Sequence, residues 1–223
     1  MAPLILYTHD LSPPASAVYM LANMLGLEIE GRPVDLARLE HKSEEFLKIN
    51  PMGTIPVLVD GDFVVSESHA ILKYLLQQYG GERREELYPS DARVRSRVDT
   101  CLFFNAGVFF VRLKVVALPI ILEGSPSPSA RQLADIELAY GALEQYLRAQ
   151  QFAAAAHATL ADLALAATAA PMQAIRKIDS KRFPRCVEWL STLEKEPWYR
   201  GPSTTCVKTF TAIMETAWKK NNQ

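Results

Sequence analysis

The sequence is short of cysteine, of histidine and of net charge. Its three cysteines, Cys101, Cys186 and Cys206, are odd in number and far apart. That spacing makes neither a disulfide framework nor a metal pattern, and there is no Cys-x-x-Cys. A disulfide exchanger is excluded, and a reducing, cytoplasmic setting is expected. The four histidines, His9, His41, His69 and His157, lack ligand spacing, so no metal is expected. Lys and Arg number 24 against 25 Asp and Glu with no basic stripe, which argues against a nucleic-acid partner. No uninterrupted apolar run reaches the roughly 18 residues of a membrane span. The start, Met1-Ala2-Pro3-Leu4-Ile5-Leu6-Tyr7, lacks the basic region and cleavage site of a signal peptide. Gly-x-Ser-x-Gly and phosphate-loop motifs are missing as well.

What is present is a chain of 223 residues, 49% apolar, with enough material for two modest domains. Residues 4–7 read as a buried strand. Ser12 before Pro13-Pro14 reads as an N-cap with proline at the first helical position, and the helix runs through Val18, Leu21 and Leu25 until Gly26 stops it. A second strand is expected over 32–36 and a short amphipathic turn over 44–48. The stretch Asn50-Pro51-Met52-Gly53-Thr54-Ile55-Pro56 leads into two apolar runs, 57–59 and 63–65, around an Asp60-Gly61 hairpin signal. Glu67-Ser68 then precedes a helical pattern. The order β-α-β-α-β-β-α predicts a mixed sheet with helices on its faces.

After a charged, glycine-led link the pattern turns helical throughout. Val94, Val98, Cys101, Leu102, Asn105, Phe109, Arg112 and Val116 recur at helical spacing until Pro119. A second stripe spans 133–147. Thr159-Leu160-Ala161-Asp162 has capping-box spacing before a segment apolar nearly all round, which belongs inside a bundle. Pro184 opens another helix that Pro197 closes, and a last one covers about 207–218. The fold class is α/β plus all-α: residues 1–81 as the α/β domain, 82–89 as linker, 90–223 as the helical domain.

Two places can carry chemistry. A cis Ile55-Pro56 bond would leave a backbone edge free for an extended ligand. The helix start at Glu67-Ser68 offers N–H groups to a carboxylate and an anion to an amine, as a peptide with a free amino-acid end requires. The competing reading is a plain hairpin followed by a capped helix. Ser12 puts a hydroxyl at a strand-to-helix junction where N–H dipoles converge, a setting that stabilises a thiolate. A hydrogen bond to an ionised partner is worth roughly 1.5–3 kcal/mol, so the thiol pKa would fall by about one to two pH units. The thiol would come from the ligand, since no cysteine lies in the first 100 residues. Alternatively Ser12 only caps the helix.

Ser12-Pro13-Pro14, Asn50-Pro51-x-x-Thr54-Ile55-Pro56-Val57-Leu58, Glu67-Ser68-His69-Ala70-Ile71 and Thr159-Leu160-Ala161-Asp162 stand in this order along the chain. Together they resemble an insect cytosolic glutathione S-transferase of the delta/epsilon group, epsilon more than delta, over roughly residues 3–218. The resemblance implies a thioredoxin-like N-terminal domain, a helical-bundle C-terminal domain and a homodimer. It implies that Ser12 activates the sulfur of glutathione, the co-substrate, and that Ile55 and Pro56 meet its cysteinyl part. Glu67 and Ser68 would hold the γ-glutamyl end, and His41 the glycyl end. Apolar electrophiles would be the second substrates, conjugated in a detoxification-type reaction. Asn105, Val108, Phe109, Arg112 and Val116 fall on one helical face and, with Leu11, Leu36, Ile120, Val207 and Phe210, are expected to line the electrophile pocket. Three departures stand out. Gly53 replaces a histidine common near the glycyl carboxylate, so one contact is expected to be lost. Residues 152–157 replace a glycine-containing turn, and Asn105 replaces an acidic residue. A non-catalytic carrier of glutathione or apolar ligands and an interaction module of the same fold are the rival readings.

Overall fold

The structure, a computed structural model, describes residues 3–223. Its first half holds β1 (Leu4–Thr8), α1 (Pro13–Leu25), β2 (Ile29–Pro33), α2 (Glu44–Ile49), β3 (Val57–Asp60), β4 (Phe63–Ser66) and α3 (Ser68–Tyr79). The strands form one sheet in the order β2-β1-β3-β4. β1 runs parallel to β2, with Leu4 opposite Ile29, and antiparallel to β3, with Leu6 opposite Leu58. The Asp60-Gly61 hairpin pairs Val57 with Ser66 and so carries the start of α3 back beside the start of β3. The expected β-α-β-α-β-β-α order is the observed one.

β2 lies earlier than its apolar residues suggest. It is an edge strand whose residues are mostly exposed, so no hydrophobic run marks it. Val34 and Leu36 lie beyond it and pack with Phe46 and Val57 in a small separate cluster. The stretch expected as a linker contains a short helix, α4 (Arg83–Leu87), whose Leu87 is buried.

The second half holds α5 (Ala92–Phe104), α6 (Phe110–Leu122), α7 (Ala130–Tyr146), α8 (Leu160–Met172), α9 (Pro184–Leu193) and α10 (Pro197–Asn221). Two prolines expected to end helices do otherwise. Pro119 lies inside α6, and Pro197 opens α10 at a first-turn position where its missing N–H costs nothing. α5 and α6 are joined by one π turn, Asn105–Phe109, in which Phe110 N–H bonds to Asn105 O five residues back. The joined helix Ala92–Leu122 is long and apolar enough to cross a membrane by length and composition, with a mean hydropathy of 1.8 over its most apolar window. The expectation from uninterrupted runs missed this because Arg112 and Lys114 break the run without breaking the helix. Its apolar residues Leu102, Phe104, Phe109, Leu113, Val116 and Ile120 are packed in the core.

That core is continuous across both halves. Leu6, Val18, Leu21 and Leu72 belong to the same buried cluster as Leu102, Leu163 and Trp189. α8 is its axle: every residue from Leu160 to Met172 is buried. It packs against α1 and α5. Asp162, fully buried, anchors its first turn. The carboxylate accepts from Ala153 N and Thr159 N (both 2.9 Å), Thr159 Oγ1 (3.1 Å) and Trp189 Nε1 (2.9 Å). Burial pushes its pKa up, against the four donors that favour the anion. The alanine-rich segment closes around it without glycine, since none of residues 150–158 has a positive φ. Asp162→Ala leaves four buried donors unpaired and is expected to cost about 3–5 kcal/mol, read as a lower urea midpoint. A loss below about 1 kcal/mol would show the cluster to be incidental.

Candidate active site

A cleft of about 580 Å³ opens between the two halves. Its floor is Gly53, Thr54, Ile55 and Pro56, where the chain enters β3, and the Ile55-Pro56 bond is cis. Ile55 precedes the ladder, whose first residue, Val57, pairs with Tyr7 and Ser66. Asn50, 1% exposed, holds this approach: its Nδ2 donates to Thr54 O (2.9 Å) and Thr54 Oγ1 (3.1 Å).

Glu67 and Ser68 form one side of the cleft. Glu67 has φ +68° and ψ +112°, outside the regions a residue with a side chain normally occupies, at a cost of about 1–3 kcal/mol. That conformation turns the chain from β4 into α3. It leaves the Ser68, His69 and Ala70 N–H groups without partners among the described residues, since the first helical bond runs from Ile71 N to Glu67 O. An exposed carboxylate thus sits beside an N-terminus rich in free donors. At the other side His41 and Lys42 approach Gly53. Lys42 Nζ donates to Gly53 O (2.7 Å) and Met52 O (3.3 Å). Burial first and the Lys42 charge second lower the His41 pKa, so the positive charge here resides on Lys42.

The third wall comes from α6. Here the structure departs from the expected face. Ala106, Phe110, Val111, Lys114 and Leu118 line the cleft together with Asn105, Leu36 and Pro14. Phe109, Val116, Ile120 and Phe210 are buried in the core, and Leu11, Val108 and Val207 pack against it. Arg112 is tied to backbone, with Nε donating to Asp135 O (3.1 Å) and Nη1 to Val108 O (2.9 Å). The cause is the π turn. It changes the helix phase after Asn105, and the face that meets the cleft is 106, 110, 114 and 118.

Asn105 and His69 form a pair that sequence reasoning did not join. Asn105 Nδ2 donates to His69 Nε2 (3.1 Å), which puts the ring proton on Nδ1. Asn105 Oδ1 is buried without a partner. Burial, with a smaller part from Lys73, pushes the His69 pKa down to about 4, so the pair is neutral at pH 7.

Ser12 is the N-cap of α1. Its Oγ accepts from Ala15 N at 3.3 Å, and among the described residues its hydroxyl hydrogen has no acceptor. The N–H dipoles expected here are fewer than supposed. Pro13 and Pro14 have no N–H, and Ser16 N is spent on Ser12 O. The hydroxyl is therefore the free donor of this turn. It faces a smaller cleft of about 350 Å³ between α1 and α10, while Pro14, two residues on, lines the main one. The protein's own thiols are unsuited to nucleophilic work. Burial pushes Cys101 and Cys206 up to about 12, and raises Cys186 as well.

An unpaired strand edge, an exposed carboxylate beside a donor-rich helix start and an apolar wall meet in one cleft. Residues 6–83 match the family described as Glutathione S-transferase, N-terminal domain, and residues 126–191 match Glutathione S-transferase, C-terminal domain. The chain belongs to the glutathione S-transferase family. It is 35% identical over 197 residues to Glutathione S-transferase 1 of Manduca sexta, covering 87% of this chain and 89% of that protein. It is also 35% identical to Glutathione S-transferase D7 of Anopheles gambiae, covering 88% of each. An epsilon-class glutathione S-transferase from the housefly, Musca domestica, superposes with a TM-score of 0.92 at 33% identity, covering 96% of this chain and 98% of that one. A glutathione transferase homolog from Drosophila mojavensis, solved with bound glutathione, superposes with a TM-score of 0.93 at 33% identity, covering 97% and 98%. This transferase is of the insect delta/epsilon kind and conjugates glutathione.

The neutral His69 has a measurable consequence. Its ordinary pKa near 6.5 applies in the unfolded chain and about 4 in the folded one, so only the unfolded chain takes up this proton in between. Its contribution is unpenalised above about pH 6.5, and stability is lost as pH falls toward 4. Urea midpoints of wild type and His69→Gln are expected to diverge over that window, with the wild type falling faster. Parallel curves would mean that His69 titrates normally.

Proposed function

We propose that the cleft takes glutathione with its γ-glutamyl amine against Glu67 and its γ-glutamyl carboxylate on the first-turn N–H groups of α3, at Ser68. The cysteinyl backbone pairs with Ile55 beside Pro56, and the glycyl end lies toward His41. The observation that carries this reading is the Glu67 backbone at φ +68°, which keeps an anion and free donors together beside the unpaired edge at Ile55.

Ser12 acts on the sulfur. Its bond from Ala15 N is long for a hydrogen bond, and a cap of this kind is worth about 1 kcal/mol. A rotation about Cα–Cβ exchanges it for a charge-assisted bond to a thiolate, worth roughly 1.5–3 kcal/mol. The thiol proton leaves to solvent and the sulfur attacks an electrophilic carbon. A carbon–sulfur bond forms as the leaving group departs with the bonding pair, giving a thioether. The remainder of the rate comes from positioning. Phe110, Val111, Leu118 and Leu36 support an apolar electrophile, held by contact rather than by hydrogen bonds. Ser12→Ala is expected to lower kcat/KM for an aryl halide by about 10–100-fold and to raise the pKa of the bound thiol, titrated by thiolate absorbance, by about one to two pH units. Undiminished conjugation would remove Ser12 from this role.

The carrier reading is not favoured, since relatives over nearly the full chain are transferases. A reducing, cytoplasmic setting is supported by three free, buried thiols. A homodimer is supported by apolar surface left open on the edge strand β4 and on α5, with Phe63 47%, Val64 42% and Phe103 74% exposed. Light scattering coupled to gel filtration at micromolar concentration is expected to give twice the chain mass. A monomer there would reject the dimer.

A further inference from the structure

The smaller cleft, about 350 Å³ between α1, the turn before it and the first half of α10, has no part in the reaction proposed above except through Ser12. Its α1 wall is a polar stripe. Ser12, Ser16, Tyr19 and Asn23 stand at i, i+4, i+7 and i+11, on one helical face, and all four line the cleft. A helix face turned toward another helix is ordinarily apolar. The facing wall is low, built from Gly201 and Pro202 on α10, and a Cβ at Gly201 would meet nothing within 4 Å.

Two kinds of group in this cleft lack partners. Ser16 is 4% exposed and its Oγ makes no hydrogen bond among the described residues. A hydroxyl so placed has lost water without gaining a bond. Ser12, one turn before it, accepts from Ala15 N and has a hydrogen to give. Asp10 is exposed, has no ion-pair partner among the described residues, and is the only carboxylate on a lining without lysine or arginine. His9 is tied to its own turn, its Nδ1 accepting from Leu11 N at 3.0 Å. Burial first, with a smaller part from Asp10, raises the pKa of Tyr19 and brings Cys206 up to about 12, so neither adds charge at pH 7.

We infer that this cleft is a second ligand site, which takes a small organic ammonium carrying a hydrogen-bond-accepting oxygen. The ammonium meets Asp10, the oxygen accepts from Ser16 and Ser12, and the hydrocarbon part lies against Pro202 and Tyr19. An occupant that takes the Ser12 hydrogen withdraws it from the sulfur, so binding lowers turnover. That coupling rests on the glutathione reading of the main cleft, whereas the site itself does not.

The probe is 2-amino-1-phenylethanol, which has both groups. Phenethylamine lacks the oxygen and 1-phenylethanol lacks the charge. Calorimetry on the full chain is expected to show one site for the amino alcohol and binding about tenfold weaker for either comparator. Asp10→Asn and the space-filling Gly201→Leu are each expected to weaken it about tenfold. Ser16→Ala is expected to weaken it about fivefold while melting no lower than wild type, because the hydroxyl it removes has no partner. S-methylglutathione, which fills the main cleft with a thioether in place of a thiolate, is expected to leave the amine affinity within about twofold. Absent binding, equal binding of the three compounds, full affinity in Asp10→Asn, or displacement by S-methylglutathione overturns the site. In turnover the amino alcohol is expected to lower kcat about fivefold at saturation with the glutathione KM unchanged, and Gly201→Leu to resist it. Binding with kcat unchanged overturns the coupling through Ser12. A chain that takes up the amine but not S-methylglutathione rejects the glutathione reading and upholds the second site.

Discussion

The buried carboxylate of Asp162 is the contact on which the arrangement of the helices depends. α8 has no polar face, so it can exist only inside the bundle, and its first turn must have its polar groups satisfied there. Asp162 meets that need and simultaneously takes donors from the 153 loop and from Trp189 on α9. Two separate segments are thus pinned to the end of one helix. α1 packs on that same helix, and α1 carries Ser12 and Pro14 to the two clefts. The link from the Asp162 cap to the Ser12 hydroxyl runs through one continuous core.

Within the cleft, opposite charges are held in place by the backbone. The anion at Glu67 is held by an uncommon backbone conformation, and the cation at Lys42 by two carbonyls. The His69–Asn105 pair, also in the cleft, stays neutral, because burial removes the proton that would charge it. The wall from the π turn and α6 is apolar apart from Asn105 and Lys114.

How much of this was legible depended on whether the signal was local. Ser12-Pro13-Pro14, the Asp60-Gly61 hairpin and Thr159-x-x-Asp162 each encode their geometry within a few residues, and each element formed as read. β2 begins three residues before the apolar pattern suggests, because an exposed edge strand carries no hydrophobic pattern. The α6 wall lies on a different face from the one apolar spacing suggests, because a π turn changes the helix phase and leaves no mark in that spacing.

Strand and helix order, the caps, the buried axle at α8 and the motif set that marks the family follow from the residues alone. Those are properties of residues close together in the chain, where backbone preference and apolar period act directly. Which face of α6 meets the cleft, that Ser12 fronts a separate small cleft at rest, and that His69 and Asn105 share a proton-bearing contact are set by the packing of distant segments. Each of those depends on a phase shift, a packing angle or a distance between segments far apart in sequence, and no local preference encodes such quantities.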